Sequence, residues 1–252
     1  MTFDVAADSY VRFMGQFSVP LAAKFVDVLD LHEGQRALDV GCGPGMLTSE
    51  LVDRLGAESV SAVDPSPSFV AAASELLPGV DVRAAAAEAL PFGDHAFDRT
   101  LAQLVVHFMS DPVAGLREMR RVTRPGGLVA ASVWDHAGGG GPLATFWSAV
   151  RDLDPGARDE AALAGAREGH LAEIFQNAGL HAIESGQITV RRWYPSFEDW
   201  WEPYTLGVGP AGSYVAQLDE TRRDAVAARC RELLPDPPFR IDATAWIARA
   251  RP

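Results

Sequence analysis

Residues 41–46 read Gly-Cys-Gly-Pro-Gly-Met, with Asp39 two places before them and a second acid, Asp64, 25 residues beyond Asp39. Each acid sits at the end of a short apolar run, Arg36 to Val40 and Ser59 to Val63. A glycine-rich turn lets the backbone approach a ligand closely, and the helix after it offers unpaired N–H groups and the positive end of its dipole. An acid at the tip of the next strand can accept hydrogen bonds from both hydroxyls of a ribose. Together these features predict a cofactor of adenosine type. Dinucleotide-binding domains use a related turn with an acid about 20 residues further on. Here the third glycine comes one place early and Met46 fills its slot, which makes NAD the weaker fit and an NAD-dependent oxidoreductase the lesser alternative.

Other residues could act on a substrate. His107 lies just beyond a fourth apolar run, and an imidazole that titrates near neutrality could take the proton of a hydroxyl or phenol; its bland reading is a helix-face histidine. Phe146, Trp147, Trp193, Tyr194, Trp200, Trp201 and Tyr204 could line a pocket for a flat or apolar acceptor, with Trp200, Trp201 and Tyr204 the first choices, or could simply fasten a helical cap to the core. Ala102-Gln103 supplies no carboxylate, Asp135 stands alone, and the six histidines show no ligand spacing, so chemistry without a metal is expected. Cys42 and Cys230 lie far apart without a Cys-x-x-Cys pattern, which predicts neither a disulfide framework nor a zinc site.

The elements that must position these groups follow from periodicity. Ser9 to Leu29 carries apolar residues at helical spacing and reads as one or two helices. Strand, glycine turn and helix follow over residues 36–55, then a strand at Ser59 to Val63, a helix at Ser68 to Leu77 and a weaker strand at Val80 to Ala84. Phe97 to Ala102 is a fourth strand, Val113 to Val122 a helix, and Leu128 to Trp134 a fifth strand after the breaker Arg124-Pro125-Gly126-Gly127. Five such units in series imply a parallel α/β sheet with helices on both faces. The glycine run 138–141 reads as a flexible connection. Residues 143–180 and 197–234 look helical, and strands at His181 to Val190 and Ala243 to Ala250 would finish the sheet at seven.

With these elements in order, Leu38-Asp39-Val40-Gly41-Cys42-Gly43-Pro44-Gly45 resembles the first motif of class I S-adenosylmethionine-dependent methyltransferases. Ala87-Glu88-Ala89-Leu90-Pro91-Phe92, Phe97-Asp98, and Glu118 with Arg121-Val122 and Arg124-Pro125-Gly126-Gly127 resemble, in the same order, the ubiquinone/menaquinone-biosynthesis-like branch, methyltransferase type 11. The resemblance implies a Rossmann-like, doubly wound, seven-stranded, mostly parallel sheet with helical cap insertions, and S-adenosylmethionine as cofactor. It implies that Gly41, Cys42, Gly43 and Gly45 wrap the methionine moiety, that Asp39 holds the loop and helps receive the ammonium, and that Asp64 holds the ribose. Pro65 and Ser66 would line the adenine, Ala87 and Glu88 would reach its edge, and Gln103 would lie beside the methionine end. Tyr10 and Met14 resemble positions on an N-terminal helix that closes over the cofactor. Ala86 departs from relatives that often carry an acid there for the adenine amino group.

The expected organisation is one methyltransferase domain over residues 1–252. Its cofactor-binding core would span about 30–135 with closing strands near 181–190 and 243–250, and cap segments would span about 138–180 and 195–238. Twenty-two basic against 34 acidic residues give a net charge of −12, a poor surface for nucleic acid. The arginines at 117, 120, 121 and 124 read as a solvated helix end. The opening MTFDVAADSY lacks the apolar core of a secretory signal, and no run approaches a membrane span, so a cytoplasmic location is expected. A small-molecule methyltransferase is the function predicted; a non-catalytic S-adenosylmethionine-binding protein is the alternative from another class.

Overall fold

The computed structural model describes residues 7–252. Strands β1 (Ala37–Val40), β2 (Val60–Asp64), β3 (Asp81–Ala84), β4 (Phe97–Gln103), β5 (Thr123–Trp134), β6 (His181–Tyr194) and β7 (Phe239–Arg251) form a seven-stranded sheet in the order β3-β2-β1-β4-β5-β7-β6. The first five pair in parallel, and β7 runs antiparallel to both its neighbours. The α/β, doubly wound, mostly parallel sheet expected above is the fold of the chain.

β1 and β2 are buried along their whole length, as strands covered by helices on both faces must be. β5 shows why the sheet has two distinct cores. Leu128, Ala130 and Trp134 pack with the helices Gln16–Asp27, Met46–Leu55 and Ala144–Leu153. Val129, Ala131 and Val133 face the helices Pro112–Val122 and His170–Asn177, in keeping with the period of two along a strand. Strand order reverses direction between β1 and β4, so the crevice at their carboxyl ends is the topological switch point where open α/β sheets bind ligands.

Four local expectations change in the folded chain. The breaker Arg124-Pro125-Gly126-Gly127 lies within β5 as a bulge, since Phe97 pairs with Thr123 while Arg99 already pairs with Leu128. Residues 143–180 are not helical throughout: helices at Ala144–Leu153 and His170–Asn177 flank an irregular stretch. The glycine run is packed and tied down. Gly138 N–H donates to Asp135 Oδ1 at 2.8 Å, Thr244 N–H donates to Gly140 O at 2.7 Å, and a Cβ on Gly138 would stand 2.6 Å from the Asp135 carboxylate. Small residues are needed there for close approach rather than for mobility. Arg121 is also more than a solvated cation, because it binds Glu118 at 2.7 Å, Asp94 at 2.8 Å and the carbonyls of Leu90 and Phe92. That fastens the turn after Ala87-Glu88-Ala89-Leu90-Pro91-Phe92 to the helix Pro112–Val122.

Candidate functional site

β1 and β2 deliver Asp39 and Asp64 to the switch point, and the chain between Val40 and Met46 turns tightly between them. Gly41 and Cys42 both donate to Val63 O, at 2.8 and 3.0 Å. Gly41 has φ +73°, and a Cβ on it would lie 2.2 Å from Val105 Cγ2. Only glycine satisfies both demands. Gly43, at φ +54°, faces open space, so the loop leaves room for a ligand on the side away from Val105.

The two acids are held differently. Asp64, 6% exposed, accepts from Gly43 N–H at 2.9 Å through Oδ2 and from Ser66 N–H at 2.8 Å through Oδ1. Each oxygen keeps a lone pair for a further donor. Burial raises its pKa, against those two hydrogen bonds. Asp39, 1% exposed, accepts from Thr48 Oγ1 at 2.7 Å, while its Oδ1 is buried with no partner among the described residues. Burial, opposed by the Thr48 bond and aided by Asp64, pushes its pKa up to about 7. A buried carboxylate oxygen left without a donor is costly, and an arriving N–H would relieve it. The cradle therefore fits an adenosine-type cofactor carrying hydroxyls and an ammonium: paired acids, left-handed glycines and open space in front of Gly43.

The other expected contacts divide into two groups. Cys42 is buried under the loop, Gly45 caps the helix Met46–Leu55 in a left-handed conformation, and beyond Asp64 Pro65 is exposed and Ser66 half-buried. Ala87 is buried, whereas Glu88 turns to accept from Asp111 N–H at 3.1 Å, at the start of the next helix. Ala86 is exposed. Gln103 at the tip of β4 donates through Nε2 to Ser18 O at 3.0 Å and leaves its Oε1 buried without a partner. It thus ties the N-terminal helix to the sheet. Tyr10 and Met14 lie on that helix, which widens into a π-helical turn at Val11–Gly15, a distortion frequent at functional sites.

After Gln103 the backbone turns sharply through Leu104, a non-glycine residue at φ +61°, a strained conformation that persists where surrounding structure holds it. The turn sends Val105 against Gly41 and leaves Leu104 and His107 in the wall of a neighbouring cavity. This cavity, of about 30 Å³, is lined by Tyr10, Phe13, Met14, His107, Trp134 and Glu160 among others. Tyr10 joins the two spaces: it lines the cavity, and its pKa is pushed up to about 12 by burial and by the charge of Asp64.

His107 is 7% exposed and its Nδ1 has no partner among the described residues. Burial, with a smaller effect from His136, pulls its pKa well below the usual value, so the ring is neutral at pH 7. The aromatic trio lies elsewhere. Trp200 and Tyr204 are 2% and 3% exposed inside the core, and Tyr204 stacks on Phe146 with ring centroids 4.7 Å apart. Trp201, partly buried, stacks on Phe197 and Tyr204. None of the three lines the cavity; Phe13, which does, covers Tyr204 edge-on at 5.1 Å. Large flat rings gain more from being sealed inside than from edging a cleft.

Among the titratable residues of the cavity, sequence reading missed His136 and Glu160. His136 follows β5 at the same carboxyl edge as His107, and that placement was the available signal. Glu160 sits in the irregular stretch between two helices, where no periodicity points inward. Among the described residues, no group of three or more His, Cys, Asp or Glu is arranged to hold a metal ion, and no helix is long and apolar enough to cross a membrane.

Comparison with known proteins agrees with this geometry. Residues 38–131 match a family model described as a methyltransferase domain. The chain is 33% identical over 158 residues to a ubiquinone biosynthesis O-methyltransferase of Cereibacter sphaeroides, covering 60% of this chain and 62% of that one. It is 37% identical over 131 residues to a malonyl-[acyl-carrier protein] O-methyltransferase of Erwinia pyrifoliae, covering 45% and 47%. Overall it spans about half the length of the curated relatives it matches. Among solved structures it superposes on phosphoethanolamine N-methyltransferase 2 of Haemonchus contortus, in complex with phosphomonomethylethanolamine and S-adenosylhomocysteine. There the TM-score is 0.61 at 15% identity, covering 97% of this chain and 56% of that one, a likeness of fold. In its motif order, its sheet topology and the match over residues 38–131, the chain is similar to S-adenosylmethionine-dependent methyltransferases.

Proposed function

We propose that the protein transfers a methyl group from S-adenosylmethionine to a small-molecule acceptor by in-line displacement. The observation that carries this reading is the adjacency of the Asp39–Asp64 cradle and the apolar cavity, joined at Tyr10. In this reading Gly41, Cys42, Gly43 and Gly45 enclose the methionine moiety, Asp39 Oδ1 receives the ammonium, and Asp64 receives the ribose hydroxyls. Pro65 and Ser66 flank the adenine, Ala87 and Glu88 approach its edge through backbone atoms, and Tyr10, Met14 and Gln103 close the methionine end. The cofactor-binding core comprises about residues 30–135 with the strands near 181–190 and 243–250, and the segments about 138–180 and 195–238 cap it. When bound, the cofactor supplies a sulfonium methyl as electrophile.

The protein's own contribution is alignment and exclusion of water. As an acceptor would gain the methyl that the cofactor supplies, its proton would leave for the free Nδ1 of His107. A neutral imidazole with an unpaired nitrogen supports that role. The net charge of −12 favours a small acceptor over nucleic acid. Calorimetric titration with S-adenosylmethionine, S-adenosylhomocysteine and NAD, repeated on Asp64→Ala, tests the reading. Saturable binding of both sulfur nucleosides, weakened in the variant and absent for NAD, is expected; binding of NAD alone, or of none, overturns it.

A further inference from the structure

Glu160 is 4% exposed in the cavity wall, and its Oε2 accepts from Trp147 Nε1 at 2.8 Å. Among the described residues no basic side chain acts on it: burial pushes its pKa up to about 7, with Asp159 adding repulsion and only the Trp147 bond opposing. No Lys or Arg of the described residues lines the cavity. The rest of the wall is aromatic and apolar, with Tyr10, Phe13, Phe108 and Trp134 contributing rings. His107 and His136 stand with ring centroids 5.8 Å apart, and His107 Nδ1 and His136 Nε2 are each buried without a partner among the described residues. With both imidazoles held neutral by burial, each free ring nitrogen can serve as a hydrogen-bond acceptor.

Two independent features of this wall favour one ligand charge. A buried carboxylate without a counter-ion is expensive, and a cation brought beside it removes most of that cost. Aromatic faces attract cations and not anions. An alcohol brings no charge to favour ionised Glu160, and a carboxylate or phosphate would face a second carboxyl group and two ring nitrogens able to accept.

We propose that this cavity is the acceptor site of the methyl transfer inferred above, that its acceptor is an apolar amine bound as its ammonium, that Glu160 is the specificity-determining residue that holds the amino nitrogen against the aromatic wall, and that the nitrogen loses one proton to His107 Nδ1 before its lone pair takes the methyl. The inference rests on the methyltransferase reading, but it adds the charge class of the acceptor and the residue that selects it.

The test uses full-length protein saturated with S-adenosylhomocysteine and calorimetric titration with benzylamine and phenethylamine, each beside its alcohol and carboxylate counterpart of matched skeleton. The amines are expected to bind about tenfold or more tighter than the alcohols, and the carboxylates not to bind. Glu160→Gln, which keeps an oxygen for Trp147, is expected to erase that preference while leaving the affinity for S-adenosylhomocysteine intact. In the unsubstituted protein, the carbon resonance of the Glu160 carboxyl should move toward its ionised position as benzylamine is added. Equal binding of amines and alcohols, no amine binding to the saturated protein, or an unchanged preference in Glu160→Gln overturns the proposal. Failure of S-adenosylhomocysteine itself to bind overturns the methyltransferase reading instead, so the two failures are distinguishable.

Discussion

Gly43 N–H donates to Asp64 Oδ2 at 2.9 Å, across 21 residues of sequence, so the acid that ends β2 shapes the glycine loop as well as facing the ligand space. Asp64→Ala therefore removes more than the ribose acceptor proposed above. It leaves the N–H groups of Gly43 and Ser66 without their carboxylate, a loss of roughly 1–3 kcal/mol in stability. Chemical denaturation of the ligand-free protein measures this cost separately from cofactor affinity. Unchanged stability would mean that the loop holds its shape without Asp64.

Gly41 and Gly43 make a contrasting pair. Gly41→Ala forces a Cβ to 2.2 Å from Val105 Cγ2 at φ +73°, so overpacking adds to backbone strain and about 2–4 kcal/mol should be lost. Gly43→Ala meets nothing within 4 Å and should lose only the left-handed strain, about 1–2 kcal/mol. Adding Val105→Ala should recover part of the first loss and none of the second, as urea unfolding of the four variants would show.

Gln103 fastens the tip of β4 to Ser18 O at 3.0 Å. Gln103→Leu keeps the volume but drops the donor to that carbonyl, at a cost of about 0.5–1.5 kcal/mol. Faster amide hydrogen exchange over residues 10–20 is the expected signature, together with weaker binding of S-adenosylhomocysteine. Exchange rates like those of the wild type would place the anchoring of this helix in its apolar contacts alone.

Glu160 gives a pH dependence whose sign is determined by its raised pKa. Because the folded protein holds this proton up to about pH 7 against an ordinary value of 4.5, the group's contribution to stability is full below about 4.5 and is lost as pH rises through about 7. Glu160→Gln carries no such proton. Its stability relative to the wild type should rise by roughly 1–3 kcal/mol between pH 5 and pH 8. Asp39, raised in the same direction, is common to both proteins and cancels. A constant difference across that range would show that Glu160 titrates normally.

Trp200 and Tyr204 lie inside the core, and the measurable consequence is structural. Trp200→Ala should cost about 3–5 kcal/mol through lost burial and the cavity it leaves. A stable Trp200→Ala protein with altered acceptor binding alone would return this residue to the substrate site.

The sequence by itself determined the sheet and brought together the residues proposed as the cofactor cradle. Asp39, the glycines at 41, 43 and 45, and Asp64 are set by short-range spacing at strand ends, and strand ends in a serial α/β chain converge on one edge of the sheet. Periodicity likewise located all seven strands, because alternating or continuous burial leaves its mark on adjacent residues. Only the tertiary structure decided the rest. The cavity draws Tyr10, Leu104, His107, His136, Glu160 and Val208 from distant segments, and no spacing rule links them. The aromatic residues of the late segments looked equally suited to a pocket or to a core, since the choice depends on which rings three-dimensional packing seals. The glycine run reads as a flexible connection in the sequence, and only the fold brings Asp135 and β7 against it. Local patterns encode elements, whereas burial, pKa and pocket shape are properties of residues that meet only after the chain has folded.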